Sequence, residues 1–173
     1  MRLFMIRLHA ERENHKRERD ACTARALELS NQKGIPCTII TDERKYLSSV
    51  DMSVVAPLGL SCVADLIRFR IGSTIPDALY IDDDLYLKDF PSFDLEGRPY
   101  FSYQDVFMFY VNNCCSQFKT WLERRERHIM DRLWYFTVMR FAEETYVIPE
   151  SYYVHGWLTN GREDTHNKLR AVL

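Results

Sequence analysis

The 173-residue sequence lacks the features that mark several large classes of protein. No run approaches the roughly 20 apolar residues of a membrane-spanning helix, and the N-terminal stretch is too short and too charged for a signal peptide. The formal net charge is only −2, so no strong overall field would attract nucleic acid. We therefore expect a soluble, cytoplasmic protein with no transmembrane segment and no nucleic-acid partner.

Cysteine is also scarce, with five residues in an odd number and at spacings that suggest neither a disulfide framework nor a zinc site. A reducing compartment is the simplest interpretation. Hydrophobic residues make up 46% of the chain, so a folded core is expected. No internal repeat or low-complexity linker divides the sequence. We expect one domain over residues 1–173, with 160–173 as a polar tail.

The first half of the chain alternates between strand-like and helix-like segments. In order, the expected elements are a strand at Leu3–Leu8, a helix at Glu11–Gln32, a strand at Cys37–Thr41, a helix capped by Ser61, and a strand at Leu79–Ile81. This βαβ order predicts an α/β fold with a mainly parallel sheet. In such sheets, ligands bind at the carboxyl ends of the strands.

Within the first long helix, the apolar side is expected at Ala21, Ala24, Leu27 and Leu29, and Gly34 is expected to follow its C-terminus. The charged residues at its start, including Arg19, are expected to form a solvated face. In the second half, the aromatic-rich stretch from 100 to 113 predicts core strands. One or two helices over 116–144 and closing strands at 146–148 and 152–154 follow.

Three consecutive aspartates, Asp82, Asp83 and Asp84, follow the strand at Leu79–Ile81. Adjacent carboxylates raise each other's pKa unless a positive charge lies nearby. A Mg²⁺ or Mn²⁺ ion would supply that charge, since these ions take oxygen ligands from one or two carboxylates and from substrate phosphates. Side chains alternate along an extended strand, so Asp82 and Asp84 are expected to point one way and Asp83 the other. The alternative is a solvated acidic turn that closes a hairpin.

Upstream, Asp65 and Arg68 are three residues apart and share one face of the predicted helix. They could reach the same ligand or each other. The apolar neighbours Leu66, Ile67 and Phe69 indicate that this helix is largely buried, and a buried acid and base need partners. A surface ion pair of little energetic value is the other interpretation.

Together the segments Ala64-Asp65-Leu66-Ile67-Arg68 and Tyr80-Ile81-Asp82-Asp83-Asp84 resemble the sugar-binding region of DXD-containing glycosyltransferases. That group includes the yeast-type α-mannosyltransferases, the α-1,4-galactosyltransferases and the large clostridial glucosylating toxins. Its pattern is a small residue with Asp-Leu-Leu-Arg, a helix, and then Tyr-Leu-Asp-x-Asp. The resemblance implies a single nucleotide-sugar-binding α/β/α sandwich of the GT-A type, with a mainly parallel mixed sheet.

The resemblance also implies a role for each residue of these segments. Asp65 and Arg68 would hold the hydroxyls of the donor sugar, and Tyr80 would lie beside the nucleotide or sugar. Asp82 and Asp84 would bind Mn²⁺ or Mg²⁺, and with Arg68 they would form the catalytic group. Asp83 would occupy the variable middle position of the donor site.

Further along the chain, the resemblance implies that Asn112 or Asn113 faces the donor sugar, that His155 is a third metal ligand and that Trp157 forms a wall of the donor pocket. One departure concerns the turn before the metal-binding strand. The family usually has Gly-Gly there, whereas this chain has Asp77-Ala78 after Pro76, which could itself supply the turn by fixing φ.

The sequence thus predicts a metal-dependent transferase that moves a hexose from a UDP- or GDP-sugar to a glycan, protein or lipid acceptor. The resemblance suggests retention at the anomeric carbon. The chain is short, so another subunit of a homo-oligomer could complete the acceptor side. Two alternatives stay open. One is a non-catalytic scaffold of the same fold that binds a nucleotide sugar or a protein. The other is a Mg²⁺-dependent phosphatase, since haloacid-dehalogenase-type enzymes also place Asp-x-Asp after an apolar run.

Overall fold

A computed structural model of the chain describes residues 1–8, 16–92, 100–102, 108–111, 120, 123–124, 126–127, 129–130, 146–155 and 171. The α-helices with assigned bounds are α1 (Lys16–Lys33), α2 (Ser49–Val55) and α3 (Leu60–Thr74). The strands are β1 (Arg2–Ile6), β2 (Cys37–Ile40), β3 (Ala78–Asp82), β4 (Leu85–Leu87), β5 (Tyr100–Ser102), β6 (Met108–Val111), β7 (Tyr146–Ile148) and β8 (Tyr153–His155). In this part of the chain, no helix has the length and apolar character needed to cross a membrane.

Six of these strands form one mixed sheet in the order β2-β1-β3-β6-β5-β7. β1 pairs in parallel with β2 and β3, and β5 pairs in parallel with β7. β6 runs antiparallel to both β3 and β5. The mainly parallel sheet that the βαβ order predicted is therefore confirmed.

The sheet is covered on both faces by helices, as strand alternation requires of a buried sheet. Even-numbered residues of β1 and β3 pack in a core with α2 and α3: Phe4, Ile6, Ala78 and Tyr80. Odd-numbered residues of the same strands pack in a second core with α1 and β4: Leu3, Met5, Leu79 and Ile81. The two cores give the α/β/α layers that the sequence indicated.

A two-residue turn leads from β3 into a strand that lies outside the main sheet. Asp83 and Asp84 form the turn that joins β3 to β4. β4, which sequence reasoning did not predict, pairs antiparallel with β8 in a separate two-stranded sheet. Because Leu85 pairs with His155, the chain near the C-terminus returns to the residue that follows Asp84.

The buried face of α1 differs from the one expected. Leu29 is buried as expected, together with Cys22, Thr23, Ala26 and Ser30, whereas Ala24 is exposed and Leu27 is 36% exposed. Cys22, Ala26 and Leu29 are spaced by four and three residues and therefore lie on one face of the helix. Gly34 follows α1 with a φ of +66°, which confirms the predicted terminating glycine.

The start of α3 also differs, because Ser61 does not cap the helix. Gly59 is the residue before α3 and has φ +106° and ψ 165°, a conformation that glycine reaches without strain. The main-chain N–H of Cys62 donates to the Gly59 carbonyl at 3.0 Å. The expectation of a polar cap was wrong because a glycine turns the chain here and places Ser61 inside the first helical turn.

Before β3, the unusual backbone conformation lies at Asp77 rather than at Pro76. Asp77 has a φ of +52°, in the left-handed region that glycine favours and that aspartate tolerates better than most residues. Its carbonyl accepts a hydrogen bond from the N–H of Arg2 at 2.8 Å, at the start of β1. Asp77 therefore takes a conformation suited to the glycine that the resemblance led us to expect.

Candidate functional site

The three aspartates at the carboxyl end of β3, here called the acidic turn (Asp82, Asp83 and Asp84), lie at the edge of the sheet where ligands bind in α/β folds. β1 and β2 are parallel to β3, so their carboxyl ends reach the same edge. Arg7 directly follows β1 there. Residues of α1 and α3 contact the acidic turn from opposite faces of the sheet.

On the α3 face, Arg68 bridges two carboxylates. It forms a close ion pair with Asp65, and its Nη1 lies 3.6 Å from Oδ1 of Asp82. The Tyr80 hydroxyl donates a hydrogen bond to the same Asp82 oxygen. The Arg68 guanidinium also lies 5.9 Å from the centre of the Tyr80 ring. The structure therefore brings together four of the residues singled out from the sequence.

Tyr80 is fixed as a hydrogen-bond donor in this group. Burial, followed by the negative charge of Asp82, raises the pKa of Tyr80 well above its ordinary value. The phenol therefore stays protonated at neutral pH, and its proton points to the Asp82 carboxylate. This contact and the Arg68 guanidinium restrict the orientation of the Asp82 side chain.

On the α1 face, Arg19 contacts the middle aspartate. Its Nη1 donates to Oδ2 of Asp83 at 3.1 Å. Burial raises the pKa of Asp83 to about 6; Asp84 adds to this effect, while Arg19 and Arg7 oppose it. Asp82 and Asp83 thus contact arginines of helices on opposite faces of the sheet.

Two arginines of this site were missed by sequence reasoning. Arg7 forms an ion pair with Asp20 and donates to the Thr23 hydroxyl at 3.4 Å, so it joins the end of β1 to α1. The charge pattern of α1 predicts that Arg19 lies on a solvated face, whereas its side chain is only 20% exposed and pairs with Asp83. A signal for Arg19 was present, because it precedes the buried Cys22 by three residues and Thr23 by four, the spacing of one helical face.

Asp84 belongs to the turn and not to the extended strand, so strand alternation does not determine where it points. Its residue surface is only 7% exposed. It lies near Cys22 of α1, where burial first and Asp84 second raise the pKa of the thiol to about 12. The Cys22 thiol is therefore neutral at physiological pH.

The remaining predicted site residues are placed only in part. The backbone of His155 pairs with Leu85, one residue after Asp84, while its side chain lies outside the described part of the structure. Asn113 and Trp157 also lie outside it. Val111, the last residue of β6, pairs with Ala78, at the end of β3 remote from the acidic turn.

The charge of the site suits a divalent cation. Among the described side chains, four carboxyl groups meet three guanidinium groups here: Asp65, Asp82, Asp83 and Asp84 against Arg7, Arg19 and Arg68. Among the side chains that the structure describes, no group of three or more His, Cys, Asp or Glu is arranged around a metal position. Two carboxylates still fit Mg²⁺ or Mn²⁺, because these ions complete their coordination with water and substrate phosphates.

Comparison with known proteins shows the fold. No family model and no curated protein sequence matches the chain. A glycosyltransferase involved in the glycosylation of the major capsid of PBCV-1 is similar in structure, with a TM-score of 0.54, 9% sequence identity, and coverage of 99% of this chain and 100% of that one. The galactosyltransferase LgtC, solved with donor and acceptor sugar analogues, covers 100% of this chain and 96% of its own at 12% identity, with a TM-score of 0.48. The likeness to the PBCV-1 enzyme shows that the chain has an α/β fold of the GT-A type.

Proposed function

We propose that this protein is a metal-dependent glycosyltransferase that moves a hexose from a UDP- or GDP-sugar to a glycan, protein or lipid acceptor, with retention at the anomeric carbon. The observation that carries the proposal is the bridge that Arg68 makes between Asp65 of α3 and Asp82 at the end of β3. This bridge lies at the ligand-binding edge of a fold shared with a glycosyltransferase.

Asp82 and Asp84 are the carboxylates that would hold Mn²⁺ or Mg²⁺, with His155 as a third ligand. The ion, when bound, neutralises negative charge on the diphosphate leaving group. Tyr80 supports this role by donating to Asp82, which limits the orientations of one ligand before the ion arrives. The paired strands β4 and β8 bring the His155 backbone next to the same turn.

Asp65 and Arg68 would orient the donor. The Asp65 carboxylate can accept hydrogen bonds from sugar hydroxyls, and its ion pair with Arg68 holds it in place. Arg68 is itself fixed between two carboxylates and beside the Tyr80 ring, so little side-chain entropy is lost when substrate binds. Its preorganised positive charge would also stabilise the departing diphosphate. Asp83, Asn113 and Trp157 complete the proposed donor site.

A panel of UDP- and GDP-hexoses tests the proposal, with nucleotide release measured in Mn²⁺ and again after EDTA. We expect at least one donor to be hydrolysed, with loss of activity in EDTA. Asp84→Asn should lower the rate roughly 100-fold, because a ligand to the charge-neutralising ion is lost. Asp89→Asn is the matched control, since Asp89 is a more exposed carboxylate five residues away that pairs with Lys33. It should leave the rate unchanged.

Three outcomes would contradict the proposal. Normal turnover by Asp84→Asn would remove Asp84 from the mechanism. Hydrolysis of p-nitrophenyl phosphate with Mg²⁺, and of no sugar nucleotide, would favour the phosphatase. A thermal shift with donor and Mn²⁺, but no turnover, would favour the non-catalytic scaffold. Where a donor is turned over, proton NMR of the first sugar product determines whether the anomeric configuration is retained.

A further inference from the structure

Arg19 ties the middle carboxylate of the acidic turn to α1. The Arg19 and Asp83 side chains are 20% and 12% exposed, so the contact is largely shielded from water. It joins residues 64 positions apart in the chain. Asp82, the preceding aspartate, is instead paired with Arg68 of α3 on the other face. The first two aspartates therefore have separate arginine partners on opposite sides of the sheet.

The same helix also holds the strand that follows the turn. Arg25 of α1 donates to the carbonyls of Leu87 and Lys88 at 3.3 and 3.0 Å. Arg25 thus secures the end of β4, whereas Arg19 secures the acidic turn itself. The two arginines lie on one helix and contact one short segment, residues 83–88, but they hold different parts of it, so Arg25 offers a matched comparison.

Loss of Arg19 would leave Asp83 shielded from water between two other carboxylates, with a neighbouring positive charge removed. Burial and like charge both disfavour an ionised carboxylate in that position. Rotation of the two-residue turn would relieve the repulsion. Because Asp83 and Asp84 are adjacent, such a rotation would also displace Asp84.

We propose that Arg19 is a positioning residue for the metal site: by fixing Asp83 against α1, it holds the acidic turn in the conformation in which Asp82 and Asp84 bind the divalent cation. This inference rests on the proposed function, because it concerns the same site. It adds a residue outside the segments that carry the family resemblance.

The positive charge of Arg19 and its proposed positioning role predict opposite effects of its removal on Mn²⁺ affinity. The inference is therefore testable. A guanidinium repels a nearby cation, so loss of its charge alone would tighten Mn²⁺ binding. Loss of a fixed ligand geometry weakens binding, and outer-shell partners of metal ligands typically contribute roughly 10- to 100-fold in affinity. We therefore expect Arg19→Gln to bind Mn²⁺ at least roughly tenfold more weakly than the wild-type protein.

The experiment titrates Mn²⁺, alone and with UDP or GDP, and follows free Mn²⁺ by electron paramagnetic resonance. Arg19→Gln is compared with Arg25→Gln, with Asp83→Asn, and with the double variant of Arg19→Gln and Asp83→Asn. Arg25→Gln should bind Mn²⁺ as the wild type does. Asp83→Asn removes the same contact and should also weaken Mn²⁺ binding, and the double variant should bind no more weakly than Asp83→Asn alone, because Arg19 then has no carboxylate to hold. Thermal unfolding of every variant confirms that it is folded.

Unchanged or tighter Mn²⁺ binding by Arg19→Gln would overturn the positioning role and leave the proposed function intact. Equal weakening by Arg25→Gln would overturn it as well, because the cause would then be a general loosening of α1. A further loss of affinity when Arg19→Gln is added to Asp83→Asn would show that Arg19 does not act through Asp83. If the wild-type protein binds no Mn²⁺ with either nucleotide, the proposed function fails, and the inference fails with it.

Discussion

Among single side chains, Asp83 gives the clearest pH-dependent prediction. Burial raises its pKa to about 6, so the folded protein holds this proton more tightly than the unfolded chain does. Stability from Asp83 is therefore fully present below about pH 4 and is lost as the pH rises through about 6. The loss should be on the order of 2 kcal/mol. Urea denaturation in EDTA, from pH 4 to 7.5, measures it.

Asp83→Asn is the control for this measurement, because an amide has the same shape and does not titrate. The stability of the wild type relative to this variant should fall across the same pH range. Parallel curves for the two proteins would show that the Asp83 carboxyl ionises as an ordinary surface aspartate does. EDTA is required, since a bound divalent cation would favour the ionised form.

Among the helices and strands, the junction between α3 and β3 yields a prediction about the missing Gly-Gly. Asp77 has a φ of +52°, so glycine should be accommodated there and a β-branched residue should be strained. Asp77→Gly should be roughly 1 kcal/mol more stable than Asp77→Val. Chemical denaturation of both variants at neutral pH measures the difference.

This pair of variants tests the effect of backbone conformation at residue 77. Both substitutions remove the aspartate side chain, and both keep the main-chain carbonyl that accepts a hydrogen bond from the N–H of Arg2. Equal stability of the two variants, or greater stability of Asp77→Val, would contradict the assigned conformation. Reduced donor hydrolysis in Asp77→Val at temperatures where it is folded would further connect this turn to the site at the other end of β3.

The sequence predicts correctly those elements whose pattern lies within a short stretch of the chain. Strands β1, β2 and β3 were visible as short β-rich runs, and Asp65 and Arg68 were visible as an i, i+3 pair in an apolar helix. Their meeting with Asp82 follows from parallel strands and short connections.

The features that sequence could not predict depend on contacts between distant segments. The charge of Arg19 indicates a residue in contact with water. In the structure its guanidinium instead pairs with Asp83, 64 positions away in the chain. The buried face of α1 includes Thr23 and Ser30, whose polar side chains do not indicate burial. Ser61 resembled a helix cap because the conformation of Gly59 cannot be inferred from local sequence.

The complete arrangement explains how three adjacent carboxylates are tolerated in a folded protein. Helices on opposite faces of one sheet each supply an arginine, Arg68 to Asp82 and Arg19 to Asp83. Among the side chains that the structure describes, the site has more carboxylates than arginines, which favours the binding of a cation. The central claim is that this cation lies at the acidic turn and carries the diphosphate of a sugar nucleotide.

Crystals soaked with Mn²⁺ and UDP or GDP test that claim most directly, with the metal located by its anomalous scattering. We predict a single strong manganese peak within bonding distance of carboxylate oxygens of Asp82 or Asp84, with the nucleotide diphosphate as a further ligand. A manganese peak elsewhere, or a nucleotide bound away from the carboxyl end of β3, would contradict the account.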